Sequence, residues 1–334
     1  MKKKNKNTLS KRSVVLIIAV MTVFILAAFA FNVASYRPAR DAGAGIDRGS
    51  EKYNILLIGR DNAAKLADVI MLASVDAREN SVRVLQIPRD TYFNYTDRDY
   101  KKINGALSAC GGAKGFSERL SESLGVPIDH YVSLDLDAFV EIIDIMGGVE
   151  VRVPCDMEYS DPYQDLTVRL EKGDRILDGE TAMQFIRFRS GYIRGDISRM
   201  DAQKIFLASA ANKMMKIRNP IALYNILKAV SDKVETDLSD KDVLYFAYHL
   251  MKCENKDISF VTLPGEDVRS ESSGAWYYIL SRSAVQELLG TENFDKNANF
   301  VDKRVKSFYD IYDRYYSYKI YRSDDILNGN LELR

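Results

Sequence analysis

The chain has 334 residues, 47 Lys plus Arg, 47 Asp plus Glu and a formal net charge of zero. That balance argues against a nucleic-acid binder, which carries a basic excess. Three cysteines, two histidines and no Cys-x-x-Cys or His-rich run give no closed disulfide framework, and they argue against a structural zinc site. The expectation for Cys110, Cys155 and Cys253 is small unpaired thiols, with one bridge plus a spare thiol as the alternative.

The first twelve residues carry Lys2, Lys3, Lys4, Lys6, Lys11 and Arg12, and Ser13 to Tyr36 holds no charge. About 20 apolar residues span a hydrocarbon core. The reading is a cytoplasmic basic tail (1–12) and a single transmembrane anchor (13–36), with the rest outside by the positive-inside rule. A cleaved signal peptide is the rival, but the apolar run is long and Ala28-Phe29-Ala30 is a weak cleavage site. Residues 37–52 form a linker, rich in Gly, Ala and Asp from Asp41 to Ser50.

The main domain is expected over 53–290. Tyr53 to Ile58, Val69 to Val75 and Val82 to Ile87 read as buried strands, closed by Gly59 and by Pro88. Gly115 to Leu124 reads as a helix and Tyr131 to Leu136 as a strand. Asp137 to Met146 is a helix with Asp137 as N-cap and Gly147-Gly148 as its stop. Val149 to Val153 alternates like an edge strand. Gly179 to Phe188, Ser198 to Lys216, Pro220 to Lys233 and Ser239 to Cys253 are helical. Ile258 to Leu263 is a late strand, and Ser281 to Leu289 a short helix. This alternation predicts a layered α/β/α domain with a central mixed sheet. The tail, 291–334, is read as helical from Val301 to Tyr321, with a tyrosine-rich face docked on the domain. A glycan- or partner-binding patch is the alternative.

Three groups of residues carry chemistry. Gly59-Arg60-Asp61 and then Asp68 place two carboxylates by a strand-end loop. Magnesium takes one or two carboxylates with phosphate oxygens and water, while loop capping is the ordinary role of such Asp residues. Ile87-Pro88-Arg89-Asp90-Thr91 projects Arg89 and Asp90 from a strand's C-terminal edge, the usual ligand side of an open α/β sheet. A solvated salt bridge is the alternative there. Lys102 and Asn104 follow in the next loop. The densest group is Arg187, Arg189, Arg194, Asp196, Arg199 and Gln203. Guanidiniums bind phosphate oxygens in a bidentate way, and Arg199 and Gln203, four apart on a helix, share a face. Such a cluster can surround a pyrophosphate.

In this order, these pieces resemble the LytR-CpsA-Psr family of cell-wall glycopolymer ligases, from about Tyr53 to Leu289. The similarity runs through Asn54 to Asp61, Ile87 to Thr91, Lys102-Ile103-Asn104, Gly111-Gly112, Asp144 to Val149 and Leu177 to Glu180. It continues through Arg187-Phe188-Arg189, Asp196 to Gln203 and Leu263-Pro264-Gly265. The resemblance implies an enzyme outside a Gram-positive-type plasma membrane. It moves a glycan phosphate from a polyprenyl-pyrophosphate-linked donor to a peptidoglycan hydroxyl, forming a phosphodiester. It implies Mg2+ on Asp61 and Asp68, to which Asp90 is added. Arg89, Arg187, Arg189 and Arg199 become pyrophosphate ligands, with Gln203 and Lys102 beside them. Asp196, as proton acceptor, and Arg89 are the catalytic candidates. The polyprenyl chain would need an apolar slot near helices Asp137 to Met146 and Ser198 to Lys216. Where the family has Arg-Ser-Asp, this chain has Leu66-Ala67-Asp68, and Arg60 is expected to supply the missing charge. A non-catalytic binder of lipid-linked precursors, or a pyrophosphatase using water as acceptor, are the other readings.

Overall fold

Apolar runs buried on both sides build the centre of the sheet. β1 (Lys52–Asp61), β2 (Leu66–Asp76) and β3 (Ser81–Gln86) form an antiparallel meander, and β4 (His130–Asp135) lies parallel to β1. β5 (Val149–Val153), β6 (Met157–Asp161), β7 (Leu166–Leu170) and β8 (Gly173–Leu177) make two ribbons, β5 with β8 and β6 with β7. β9 (Val234–Thr236) and β10 (Ile258–Thr262) return to the sheet, β11 (Gly265–Arg269) and β12 (Trp276–Leu280) form a third ribbon, and β13 (Tyr321–Arg322) adds an edge. The sheet order is β13-β10-β3-β2-β1-β4-β9. It is mixed, as expected. β1, β3, β4 and β10 all run the same way, so their C-terminal ends share one rim. The structure is a computed structural model describing Pro38 and residues 51–61, 66–96, 101–161, 166–189, 196–217, 220–229 and 231–331. The expected basic tail and membrane anchor, and nearly all of the linker, lie outside the described residues. Among the described residues no helix is long and apolar enough to cross a membrane.

Two cores lie on opposite faces. On one, Leu56, Ile58 and Leu72 meet Phe116 and Leu120 of α1 (Ala113–Leu124). On the other, Met71, Val84 and Phe260 meet the helices α2 (Leu136–Ile145), α3 (Gly179–Arg187) and α4 (Asp196–Lys216) through Ile143, Phe185 and Phe206. α5 (Pro220–Ala229) and α6 (Asp240–Leu250) follow α4, and Ala247 of α6 joins this second core. α7 (Arg282–Leu289) packs Val285 and Leu288 into the first. The result is the layered α/β/α arrangement. All three cysteines are free thiols.

Several boundaries move. β4 runs directly into α2, so the cap is Asp135 and not Asp137: Asp135 keeps extended backbone, and its side chain accepts from the Ala138 N–H. β2 starts at Leu66, three residues before Val69, which puts Asp68 on a strand and not in a loop.

The tail differs most. In place of a long helix there is α8 (Lys306–Tyr312), then coil, then β13. It is no appendage: Phe294, Phe300, Phe308 and Tyr312 are buried in the first core, with Phe294 stacked on Phe300 at 5.3 Å. Asp295 sits inside this packing and accepts from the Asn299 and Phe300 N–H groups and, at 2.7 Å, from the Tyr312 hydroxyl. Burial pushes its carboxyl up to about 6, against the pull of those hydrogen bonds. The folded state therefore holds the proton more tightly than the unfolded chain, and stability falls as pH rises from about 4 through 6. This group alone should account for a loss on the order of 2–3 kcal/mol over that interval. Asp295→Asn should flatten that part of the curve, read from urea midpoints against pH.

Candidate functional site

The common rim opens into a cavity of about 550 Å³ on the α2/α3/α4 side of the sheet. At the strand ends, its mouth, the lining includes Asp61, Asp68, Arg89, Asp135, Arg187, Arg189, Arg199 and Gln203. Its interior is apolar, with Leu57, Met71, Phe139, Ile186, Phe206 and Leu207 among the walls. A cationic mouth over an oily interior suits a ligand with an anionic head and a hydrocarbon tail. The two helices expected to flank such a slot contribute Phe139 and Phe206. Ile186 and Met183 of α3, and Tyr159 of β6, were not foreseen, because nothing in their local pattern separates a cavity wall from ordinary core.

A β-bulge sets the carboxylates. Gly59 pairs with Val69 but Arg60 pairs with Ala67, so Asp68 is the extra residue. In a regular ladder Asp68 would stand opposite Arg60 and point to the other face. The bulge instead leaves Asp68 beside Val69 on the cavity side, where Asp61 also faces. Arg89, in the turn after β3, donates through Nη1 to Asp68 Oδ1 at 2.5 Å. Thus a cation from the turn after β3 and an anion from β2 lie in contact at the mouth.

The arginine pair at the end of α3 is placed by what lies between and before it. Phe188 is buried and leaves helical backbone, anchoring the chain between Arg187 and Arg189. At the helix start Asp178 is the N-cap, accepting from the Thr181 N–H at 2.9 Å and from its hydroxyl at 2.5 Å. The Thr181 hydroxyl, then its N–H, hold the Asp178 carboxyl below the usual range. Asp178→Ala should lower stability by about 1 kcal/mol, measured by urea denaturation. On α4, Arg199 and Gln203 are buried, and Gln203 Nε2 donates to the Ile186 carbonyl at 3.4 Å, linking α4 to α3.

Not every expected residue reaches this place. Arg60, one step from Asp61 on β1, faces the other way, because successive side chains alternate. It pairs with Glu235 at 3.2 Å and donates to the Lys233 carbonyl at 3.4 Å, so it does not fill the gap left by Leu66. Asp90 and Lys102 pair with each other at 2.8 Å, and Lys102 Nζ lies 5.9 Å from the Tyr277 ring centroid. Neither lines the cavity, so the expected metal role of Asp90 and anion role of Lys102 are not met at its walls. Asp196 is the first residue of α4, but its side chain, like all of Arg194, lies outside the described residues. Among the described residues no cluster of three or more His, Cys, Asp or Glu could hold a metal. Of the carboxylates lining the cavity, Asp135 is the α2 cap, while Asp61 and Asp68 beside the guanidiniums suit magnesium, which takes one or two carboxylates and completes its shell with other oxygens and water.

The model of the LytR_cpsA_psr family matches residues 29–293. A polyisoprenyl-teichoic acid–peptidoglycan teichoic acid transferase, TagV of Bacillus subtilis, is 30% identical over 242 residues, covering 70% of this chain and 62% of TagV. The transferase of the same description named TagU, from Bacillus anthracis, is 28% identical over 243 residues, covering 72% of this chain and 77% of TagU. The crystal structure of B. subtilis TagV matches with a TM-score of 0.63 at 26% identity, covering 74% of this chain and 98% of that one.

Proposed function

Since the chain belongs to the LytR-CpsA-Psr family, we propose that it transfers a glycan phosphate from a polyprenyl-pyrophosphate-linked donor to a peptidoglycan hydroxyl. The observation that carries this reading is the meeting of Arg89, Arg187, Arg189 and Arg199 at the mouth of one apolar cavity, beside Asp61 and Asp68. The hydrocarbon tail lies in the cavity and the pyrophosphate among the guanidiniums. The acceptor oxygen attacks the phosphorus that bears the glycan, the bond from that phosphorus to the bridging oxygen breaks, and polyprenyl phosphate leaves. Asp196 takes the hydroxyl proton, a contribution of roughly 10²–10⁴-fold for a well-placed base. The arginines neutralise charge building on the leaving phosphate. Asp61 and Asp68 would hold Mg2+, which when bound supplies further neutralisation of phosphate charge. The reading also places the chain in the plasma membrane through 13–36, with this domain outside. Teichoic acid or a capsular polymer is the class of glycan it fits.

The direct test supplies the full chain, in membrane vesicles, with a lipid-linked glycan donor and with or without peptidoglycan. Phosphodiester-linked glycan on peptidoglycan is the expected product. Release of polyprenyl phosphate and free glycan phosphate at the same rate without peptidoglycan would point to a pyrophosphatase. Donor binding with no product would point to a non-catalytic binder.

A further inference from the structure

We propose that Lys204, held by Asp201 and Thr262, is the positioning residue that sets Arg199 and Gln203 against the pyrophosphate; this rests on the function proposed above. The Lys204 and Asp201 side chains are only 3% and 12% exposed, and Nζ lies 2.6 Å from Asp201 Oδ1. The same Nζ donates to Thr262 Oγ1 at 2.8 Å and lies 5.7 Å from the centroid of the Tyr321 ring. One ammonium group of α4 is thereby tied to the last residue of β10 and to the edge strand β13. None of these four residues lines the cavity, whereas Arg199 and Gln203, on the same two turns of α4, do. At about 100° per residue, positions 199 and 203 share one side of the helix and 201 and 204 are turned away from it.

A buried ion pair contributes little over well-packed apolar residues of the same volume, because both ions must leave water. What it does fix is geometry, since the hydrogen bonds admit one register of the helix against the strand ends. A second tie acts in the same place: buried Gln86, the last residue of β3, donates through Nε2 to the Met200 carbonyl at 3.2 Å. Arg89 follows three residues after Gln86. The turn bearing Arg199 is therefore fastened to the ends of β3 and β10, and the separation of Arg89 from Arg199 follows from those fastenings.

The test uses the full chain in detergent, with farnesyl pyrophosphate as the probe and farnesol as its uncharged control. In the double variant Asp201→Leu/Lys204→Met the melting temperature should hold or rise. The dissociation constant for farnesyl pyrophosphate should rise about 10-fold, well within what a small misplacement can cost, while farnesol binds as before. Unchanged pyrophosphate affinity in a folded double variant overturns the inference, as does an equal loss for both ligands, which would mean a loosened cavity. If the double variant does not fold, Thr262→Val decides: it should weaken farnesyl pyrophosphate about 3-fold and leave farnesol alone, and equal affinity overturns the inference. If the unaltered chain binds farnesol but not farnesyl pyrophosphate, the proposed function falls first and this inference with it.

Discussion

Arg89→Ala is expected to lower the kcat/KM of transfer by roughly 10²–10³-fold, about 3–4 kcal/mol of transition-state stabilisation. Two losses combine. The guanidinium at the end of β3 no longer faces the charge developing on the leaving phosphate. Asp68 also loses the 2.5 Å partner that balances its charge, so the carboxylate would repel the incoming pyrophosphate. Arg89→Lys should recover only part of the activity, because a point charge cannot reproduce the planar fork. Arg60→Ala makes the contrast. Arg60 points toward Glu235 and away from the cavity, and exposed ion pairs contribute little, so transfer should stay within about 3-fold of the unaltered chain. Kinetics with a lipid-linked donor measure both. Equal losses in the two variants would mean that the face assignment of β1 is wrong, and the cavity could not be the phosphate site.

That contrast marks how far the sequence could be read. β1, β2, β3, β4 and β10 are legible because each is an apolar run, or nearly so; β3 and β10 are followed by a proline-led turn, while β4 runs straight into α2. The helices α1, α3, α4, α6 and α7 are legible within a few residues, because caps such as Asp178 and Ser239 precede clear apolar periodicity. Parallel strands put Arg89 on one rim with the ends of β1 and β4, but Arg187, Arg189 and Arg199 reach it from the end of α3 and the start of α4, through helix packing that strand order alone does not give. The finer assignments depended on information that no local pattern holds. Arg60 and Asp61 are neighbours, and period-2 alternation forbids both from facing the cavity, yet which one does so depends on the pleat. Asp68 reaches the site through a one-residue bulge, and nothing in Leu66-Ala67-Asp68 announces it. Asp90 and Lys102, twelve residues apart, neutralise each other across a loop. In the tail, the tyrosine spacing does resemble a helix, but the helix α8 spans only Phe308, Tyr309 and Tyr312 of it and buries Phe308 and Tyr312. Tyr321 instead extends the sheet beside Phe260, because an edge strand in need of a partner outweighs local propensity.

Gly179→Ala should be the most damaging single-methyl substitution near the site. Gly179 is the first residue of α3, and its N–H donates to Asp144 Oδ1 at 2.7 Å on α2. A Cβ there would lie 2.3 Å from the Val140 carbonyl oxygen and 2.7 Å from Val140 Cγ1. The oxygen belongs to helix backbone and cannot rotate aside, so α3 must lift away from α2. Overpacking of this kind costs about 1–3 kcal/mol, and here the strain has a direction. The helix that must move is the one that ends in Arg187, with Arg189 just beyond. Lifting its start tilts its end, and a displacement near 1 Å at the guanidiniums is enough to cost about 10²-fold in rate. The expected result is a chain that stays folded at 25 °C with a lowered urea midpoint, and whose transfer rate falls by far more than its folded fraction. Asp178→Ala, one residue earlier, weakens the cap without a clash. It should lower the midpoint by a comparable amount while leaving transfer within a few-fold. If the two variants lose activity in proportion to their loss of stability, the Arg187/Arg189 pair tolerates movement, and the tight crossing of α2 and α3 serves the fold alone.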